Sequence, residues 1–144
     1  MQTLSVKIQK LRENAKLPSY GSAFAAGADL SACLEAPVAI LPGQTAMVPT
    51  GLAMELPEGY AGLVYARSGL ACKQGLAPAN KVGVVDSDYR GEVMVALHNH
   101  GAQAREIQPG ERIAQLVYQA SFEQVASLSD TARGTGGFGS TGTK

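Results

Sequence analysis

The sequence predicts an all-β domain, a distorted jelly-roll barrel or sandwich, with one short helix. Short apolar runs recur at a spacing of roughly ten residues, which is typical of sandwiches and barrels. Turn signals separate these runs, and the 17 glycines and 7 prolines agree with many turns. Helical periodicity is scarce along the 144 residues. One domain of ordinary size therefore accounts for the chain.

The strands are predicted from alternation and from short apolar runs. Val6 and Ile8 alternate with polar neighbours, as in a half-buried strand, and the valines and leucine of 93–97 share one strand face. The single helix is predicted at Ser68 to Gln74. Further strands are predicted in the apolar runs at 37–41, 46–48, 52–56, 61–66 and 113–118.

Residues 133–144 differ in kind from the rest of the chain. Five of these residues are glycine, and Phe138 is their only large hydrophobe. Such a segment buries too little apolar surface to offset its ordering entropy. We therefore expect a β-rich core domain at residues 1–127, followed at residues 128–144 by a flexible glycine-rich C-terminal arm that is mobile until something binds it.

Charge and composition exclude several classes of function. Lys+Arg and Asp+Glu are both 12, so the basic excess typical of a protein that binds a nucleic-acid polymer is absent. No stretch approaches 18 apolar residues and the start has no signal-peptide core, so no membrane association is expected. Cys33 and Cys72 form no CxxC pattern and are interpreted as reduced thiols. These features predict a cytoplasmic protein.

The most informative segment is Gly83 to Val93. An apolar strand runs into a polar turn and a second strand leaves it, which predicts a β-hairpin. Asp86 stands where the apolar run ends, so its carboxylate would be held at the rim of the core. An Asx-type residue that caps the turn is the alternative, and this segment alone favours that alternative.

Three other positions could bind an anion or a metal. Arg67, Ser68 and Gly69 place a guanidinium, a hydroxyl and a flexible backbone at a helix start, a combination that can hold an anion. An exposed arginine beside an N-cap serine is the alternative. Asp29 follows a run of small residues, and an ordinary turn aspartate is its alternative. Gln115 is polar in an apolar strand, where a solvent-facing side chain is the commoner explanation.

Five segments, in this order, resemble the motifs of the trimeric dUTP pyrophosphatase family. Together they span nearly the entire chain, so the probability that all five match by chance is very small. The segments are Ala26-Gly27-Ala28-Asp29-Leu30-Ser31, Ala66-Arg67-Ser68-Gly69-Leu70-Ala71, Gly83 to Gly91, Gly110-Glu111-Arg112-Ile113-Ala114-Gln115-Leu116 and Arg133 to Gly142.

The resemblance implies an enzyme and an assembly. Members of the family are jelly-roll homotrimers whose active sites lie between subunits, with the arm donated across the interface. They hydrolyse dUTP to dUMP and pyrophosphate by water attack on the α-phosphorus, which keeps uracil out of DNA and supplies dUMP for dTMP synthesis. A Mg²⁺ ion is expected on the triphosphate, with Asp29 contacting it through water.

The resemblance also assigns roles to single residues. Asp86 would be the general base that deprotonates the attacking water. Tyr89 would pack on the deoxyribose and leave no room for a 2′-hydroxyl. Around the uracil the remaining substrate contacts would be Val84, Val85 and Met94, and Asn80 would contact the base or the sugar. Along the phosphates they would be Arg67, Ser68, Gly69 and Gln115. From the arm, Phe138 would stack on the base, Gly139 would also bind substrate, and Arg133, Ser140 and Thr141 would reach the terminal phosphate.

The sequence departs from the family pattern at two places. Ala66 stands where proline is usual, and Asn80-Lys81-Val82 replaces a small, glycine-containing stretch. Two other functions remain open at this point: a dCTP deaminase of the same fold, whose added glutamate motif finds no match, and a non-catalytic regulator that senses dUTP. A sensor would not need the water-activating Asp86, which argues for the enzyme.

Overall fold

The computed structural model describes residues 4–118 and 120–137, except for the side chains of residues 120–122. Within these residues it contains one short helix and otherwise β-strands. The elements are β1 (Leu4–Lys10), β2 (Ser19–Tyr20), β3 (Gly27–Ser31), β4 (Val38–Ile40), β5 (Thr45–Pro49), β6 (Leu52–Glu55), β7 (Gly62–Ala66), α1 (Ser68–Gln74), β8 (Leu76–Pro78), β9 (Gly83–Val85), β10 (Met94–Asn99), β11 (Arg105–Ile107), β12 (Arg112–Val117) and β13 (Ala120–Gln124).

The strands form several small sheets around one core. The largest sheet has the order β2-β3-β12-β7-β9, and it carries most of the candidate site. The other sheets have the orders β5-β10-β8, β13-β1-β6 and β11-β4. One cluster of buried side chains draws on every sheet and on α1, with Ile8, Leu30, Ile40 and Leu97 among its largest fully buried members. This is the predicted jelly-roll arrangement.

The local predictions of strands and helix are confirmed. Val6 and Ile8 are both 0% exposed, as the alternation in β1 predicts. The helix covers the predicted residues, Ser68–Gln74, and ends where Gly75 adopts a left-handed φ of 71°. The Gly75 N–H then caps the last turn by hydrogen bonding to helix carbonyls, a role that glycine fills without steric cost.

The predicted hairpin is wrong. Strand β9 pairs with β7 in the largest sheet, whereas β10 pairs with β5 and β8 in another. Residues 86–93 therefore connect two sheets rather than two neighbouring strands, and we call them the 86–93 loop. The apolar runs on either side are real strands, but their partners lie far away in sequence.

Two further sequence expectations concern the thiols and the membrane. Both cysteines are free; Cys33 is buried and Cys72 is exposed. Among the residues that the structure describes, no helix has both the length and the apolar character that a membrane span requires.

Candidate active site

A cavity of about 240 Å³ opens where β9, β10 and the 86–93 loop meet. This volume is below the ~300–1,000 Å³ of typical small-molecule pockets, so the cavity can enclose only part of a larger ligand. Glu92 also lines it, although no motif in the sequence singled that residue out. Six residues predicted from the sequence line this cavity: Asn80, Val84, Val85, Tyr89, Met94 and Arg133.

Asp86 stands directly after β9 at the start of the 86–93 loop. The preceding Val85 is 8% exposed and anchors the strand end in the core, while the Asp86 side chain is 52% exposed. Its backbone carbonyl accepts a hydrogen bond from the Tyr89 N–H at 3.1 Å, which closes the turn. Its carboxylate pairs with the Arg133 guanidinium, which also lies 3.2 Å from Asp88. The backbone that carries Asp86 is thus held in place, while its carboxylate is open to solvent.

Tyr89 forms one wall of the cavity and is held at both ends of its ring. Only 9% of the residue is exposed, and its hydroxyl donates to the Glu92 backbone carbonyl at 2.9 Å. Burial raises the pKa of Tyr89, with a smaller opposing effect from the charge of Arg133, so the hydroxyl stays a donor. The Arg133 guanidinium carbon lies 5.4 Å from the ring centroid, a cation–π distance.

The described part of the arm is folded against the 86–93 loop of its own chain. The Arg90 N–H donates to the Gly134 carbonyl at 2.8 Å, and the Arg90 side chain donates to the Ser129 carbonyl at the same distance. Arg133 also closes a local turn by donating to the Gly136 carbonyl at 2.7 Å. The Thr131 hydroxyl donates to the Asp88 carbonyl of the loop, whereas Ser129 donates to the Glu55 carboxylate of β6. Mobility of the arm, which its glycine-rich composition predicts, stays a prediction.

A second group of predicted residues gathers across β3, β12 and the end of β7. Asp29 accepts hydrogen bonds from Arg67 at 2.9 Å and from Arg112 at 3.2 Å, and its side chain is 13% exposed. Gln115 lies opposite Asp29 in the β3–β12 register and donates to the Ala66 carbonyl at 2.9 Å. This group combines two guanidinium groups, an amide and a helix start on one sheet end, so it can bind an anion.

The structure corrects three alternatives for this second group. Asp29 lies inside β3 rather than in a turn. The N-cap residue of α1 is Arg67, with φ −83° and ψ 126°, so Ser68 is the first helical residue and not the cap. Arg67 is not a free surface arginine, since Asp29 holds it. Gly69 has no atom within 4 Å of the position that a Cβ would occupy, which leaves open space above the helix start.

Gly27 explains how Gln115 reaches its position. A Cβ added to Gly27 would lie 2.5 Å from the Gln115 Oε1 atom, closer than real Cβ contacts allow. A side chain at Gly27 would therefore force the Gln115 amide out of this position. Arg112, which sequence reasoning missed, begins β12 and could have been found as the one arginine in the same motif as Gln115.

The two groups of residues lie at opposite ends of β7. Val85 pairs with Gly62 at one end of this strand, whereas Arg67 follows Ala66 at the other. Five residue steps of about 3.4 Å separate Gly62 from Arg67, or roughly 17 Å. None of Asp29, Arg67, Ser68, Gly69 and Gln115 lines the cavity.

The departure at Asn80-Lys81-Val82 has a backbone explanation. Lys81 has φ 68°, and among the described residues it is the only one other than glycine with a positive φ. The Lys81 N–H donates to the Pro78 carbonyl at 3.1 Å and closes a tight turn beside the cavity. Lysine thus adopts here a left-handed conformation that glycine favours.

Four predicted residues lie outside the described part of the chain, namely Phe138, Gly139, Ser140 and Thr141.

Comparison with known proteins identifies the family. The family model described as dUTPase matches residues 13–142. The deoxyuridine 5′-triphosphate nucleotidohydrolase of Desulfitobacterium hafniense is 50% identical over 99% of this chain and 99% of its own. That of Thiobacillus denitrificans is 49% identical over 96% of this chain and 99% of its own. The solved structure of Staphylococcus bacteriophage 80alpha dUTPase with dUPNHPP is 28% identical, has a TM-score of 0.70, and covers 96% of this chain and 98% of its own. This chain belongs to the dUTPase family.

Proposed function

We propose that the protein hydrolyses dUTP to dUMP and pyrophosphate. The observation that carries the proposal is the convergence of six predicted substrate contacts on one cavity, with the carboxylate of Asp86 on the loop at its edge. Relatives named deoxyuridine 5′-triphosphate nucleotidohydrolase match nearly all of the chain, which supports the same activity here. The cytoplasm stays our prediction for the compartment.

Uracil recognition falls to the backbone of β9. This strand ends the order β2-β3-β12-β7-β9, so within the described residues no strand pairs with its outer edge. The backbone groups on such an edge can hydrogen bond to a ligand as they would to another strand. Val84 and Val85 of β9, with Met94 and Asn80 nearby, supply this edge and the walls around it. A base that lies close to this backbone leaves no space for the 5-methyl group of thymine.

Sugar recognition falls to Tyr89. Its ring lines the cavity and its hydroxyl is tied back to the Glu92 carbonyl, so the ring cannot retreat from the ligand without losing that bond. The ring therefore excludes a ribose 2′-hydroxyl by contact.

The reaction needs one proton acceptor and one leaving group. A water oxygen attacks the α-phosphorus, Asp86 accepts the proton of that water, and the bond from the α-phosphorus to the bridging oxygen breaks. Pyrophosphate leaves with the bonding electron pair. A positioned general base of this type contributes about 10²–10⁴-fold to the rate. The open Asp86 carboxylate suits this role, and Arg133 can leave it for the substrate phosphates.

Phosphate binding falls to Arg67, Ser68, Gly69 and Gln115, with Arg133 from the arm. The guanidinium and amide groups supply donors, and the open space over Gly69 leaves room for phosphate oxygens. From the arm, Phe138 would stack on the uracil with Gly139 beside it, and Ser140 and Thr141 would reach the terminal phosphate.

The division along β7 supports active sites that are completed by a second subunit. The general base and the phosphate-binding side chains must reach one triphosphate, because proton transfer requires contact within hydrogen-bond distance. In one chain they lie at opposite ends of β7, roughly 17 Å apart by strand geometry. A second copy that places its Asp86 beside the Arg67 end of the first would complete the site. The family resemblance assigns the trimer and an arm donated across the interface, whereas the described residues of the arm lie against the 86–93 loop of their own chain.

The residues around Asp29 and Arg67 fit a bound Mg²⁺ ion. Among the described residues no group of three or more His, Cys, Asp or Glu could hold a metal ion. Both carboxylate oxygens of Asp29 already accept hydrogen bonds from arginines. This chemistry suits a Mg²⁺ ion held mainly by phosphate and water, with Asp29 contacting it through water. When bound, the ion neutralises charge on the phosphate oxygens.

The test is a pyrophosphate-release assay with dUTP, UTP, dTTP and dCTP, with Mg²⁺ and with EDTA. We expect dUTP to be strongly preferred and EDTA to slow its turnover. Ammonia release from dCTP would instead indicate a deaminase, and binding of dUTP without pyrophosphate release would indicate a sensor. Either result would refute the proposed function.

Asp86→Asn tests the general base, and Asp88→Asn is its matched control. Both carboxylates lie on the same loop, contact Arg133 and are 52% and 56% exposed. Asp86→Asn should lower kcat about 10²–10⁴-fold while dUTP still binds. Asp88→Asn should stay within about threefold of the wild type, as an ordinary surface change does. Equal losses in the two variants would remove Asp86 from its role.

A further inference from the structure

Glu92 lies where three parts of the chain meet beside the cavity. Its carboxylate accepts a hydrogen bond from the Gly51 backbone N–H at 2.8 Å and forms an ion pair with the Arg12 guanidinium. The Glu92 side chain is 21% exposed, so both contacts are partly shielded from water. We call Arg12, Gly51 and Glu92 the Gly51 junction.

Gly51 has little freedom to move. Its φ of 70° lies in the left-handed region, which favours glycine. A Cβ at this position would lie 2.7 Å from both the Ala15 Cβ and the Cys33 Sγ atoms, so the backbone here is tightly enclosed. The Gly51 carbonyl accepts a hydrogen bond from the Leu11 N–H at 2.8 Å. Because Gly51 is fixed, the carboxylate that accepts its N–H is fixed as well.

The backbone of Glu92 in turn holds Tyr89. The Tyr89 hydroxyl donates to the Glu92 carbonyl at 2.9 Å, and the next residue, Val93, donates its N–H to the Leu52 carbonyl at 2.8 Å. A side chain at Gly91 would collide with the Tyr89 ring and hydroxyl. The ring that lines the cavity is therefore packed against a stretch of backbone whose position depends on the Gly51 junction.

We propose that Glu92 is a positioning residue that sets the discrimination between deoxyribose and ribose through Tyr89. This inference rests on the proposed function, because it assumes dUTP as the substrate. Exclusion of a 2′-hydroxyl by contact depends on a few tenths of an ångström, since packed atoms tolerate no overlap. Release of the Gly51 junction lets the Tyr89 ring shift and admits the hydroxyl. Asp86 lies at the other end of the loop and keeps its position.

Glu92→Ala removes both contacts of the Gly51 junction. We expect the ratio of kcat/KM for dUTP to kcat/KM for UTP to fall roughly tenfold, which equals about 1.4 kcal/mol of transition-state discrimination. UTP turnover should rise and KM for dUTP should increase, while kcat for dUTP stays within about threefold. Glu92→Gln keeps an acceptor for the Gly51 N–H but loses the charge, so it should recover part of the ratio.

Glu35→Ala is the matched control. Glu35 is also a carboxylate that holds the segment after β1, since it accepts from the Asn14 amide at 3.0 Å, but it does not line the cavity. Its ratio should equal that of the wild type. A ratio that falls equally in Glu35→Ala would show a general structural effect and overturn the role of Glu92.

Coupling to Tyr89 completes the test. In a Tyr89→Phe background, which lacks the hydroxyl bond to Glu92, Glu92→Ala should change the ratio less than it does in the wild type. Fully additive changes would overturn the proposed route. If Glu92→Ala does not fold, Arg12→Ala tests the proposal instead. We expect it to lower the ratio of kcat/KM for dUTP to kcat/KM for UTP about threefold. An unchanged ratio in a folded variant overturns the proposal, whereas a wild type inactive on dUTP refutes the proposed function itself.

Discussion

Deletion of residues 133–144 tests whether the arm serves catalysis rather than folding. The deletion removes the ion pairs of Arg133 with Asp86 and Asp88 and the hydrogen bond from the Arg90 N–H to the Gly134 carbonyl. Exposed ion pairs contribute about 0.2–1 kcal/mol each, and one such hydrogen bond about 0.5–1.5 kcal/mol. The loss of stability should therefore be about 1–3 kcal/mol.

This loss should leave the core folded. For a domain of this size, 1 kcal/mol shifts Tm by about 2–4 °C, so Tm should fall by no more than about 12 °C. The strand β13, which pairs in parallel with β1, precedes the deletion and is kept. A longer deletion of residues 120–144 is the control, because it removes that ladder and should destabilise the core far more.

The activity should respond very differently. The arm supplies the proposed guanidinium for the terminal phosphate and the ring that stacks on the base. A hydrogen bond from a guanidinium to a phosphate is worth about 1.5–3 kcal/mol, and stacking of one base is worth about 1–3 kcal/mol. We expect kcat/KM for dUTP to fall at least about 10²-fold in a pyrophosphate-release assay. Retained activity, or a collapse of Tm comparable with the longer deletion, would refute this assignment of the arm.

Two further predictions concern stability. Hydrogen bonding to the Ser129 backbone lowers the pKa of Glu55. This carboxylate therefore stabilises the fold above its ordinary pKa of 4.5 and loses that contribution as the pH falls through the lowered value. Glu55→Gln should flatten the acid side of a pH series of urea unfolding, and an unchanged series would contradict this. Asn99 is fully buried and donates to the Ile40 and Gln103 carbonyls at 2.8 Å. Asn99→Leu should therefore lower the free energy of unfolding by about 2–4 kcal/mol. A loss below about 1 kcal/mol would contradict this contribution of the two hydrogen bonds.

The local elements could be predicted because their signals are local. Alternation identifies β1, and the helix limits follow from the helix start at Ser68 and the left-handed Gly75. The strand β3 was missed, because Gly27, Ala28 and Asp29 have low strand propensity and only their neighbours β2 and β12 hold them in a sheet. The hairpin was predicted wrongly for a related reason. The residues of a strand show which face is buried, but they do not identify a partner strand that lies far away in sequence.

The candidate site shows the same division between local and distant information. The residue types around Asp86 and Arg67 could be read from their motifs. Six of the residues singled out in the sequence line one cavity, whereas those around Arg67 do not line it. The ion pairs of Arg67 with Asp29 and of Arg133 with Asp86 join residues 38 and 47 positions apart, so no local pattern predicts them. Glu92 was missed because its partners, Gly51 and Arg12, belong to two other segments.

Arg67 and Arg133, the two arginines proposed to bind phosphate, are each held by a carboxylate in the absence of substrate. The two carboxylates differ in their surroundings. Asp29 is 13% exposed and holds Arg67 from inside the sheet, so we expect this guanidinium to keep its position in the proposed complex with phosphate. Asp86 is 52% exposed, and its contact with Arg133 is open to competition from phosphate oxygens. In the proposed mechanism, a phosphate that draws Arg133 away also frees the Asp86 carboxylate to accept a proton. Substrate binding and release of the base are then one event, which links water activation to the presence of a bound triphosphate.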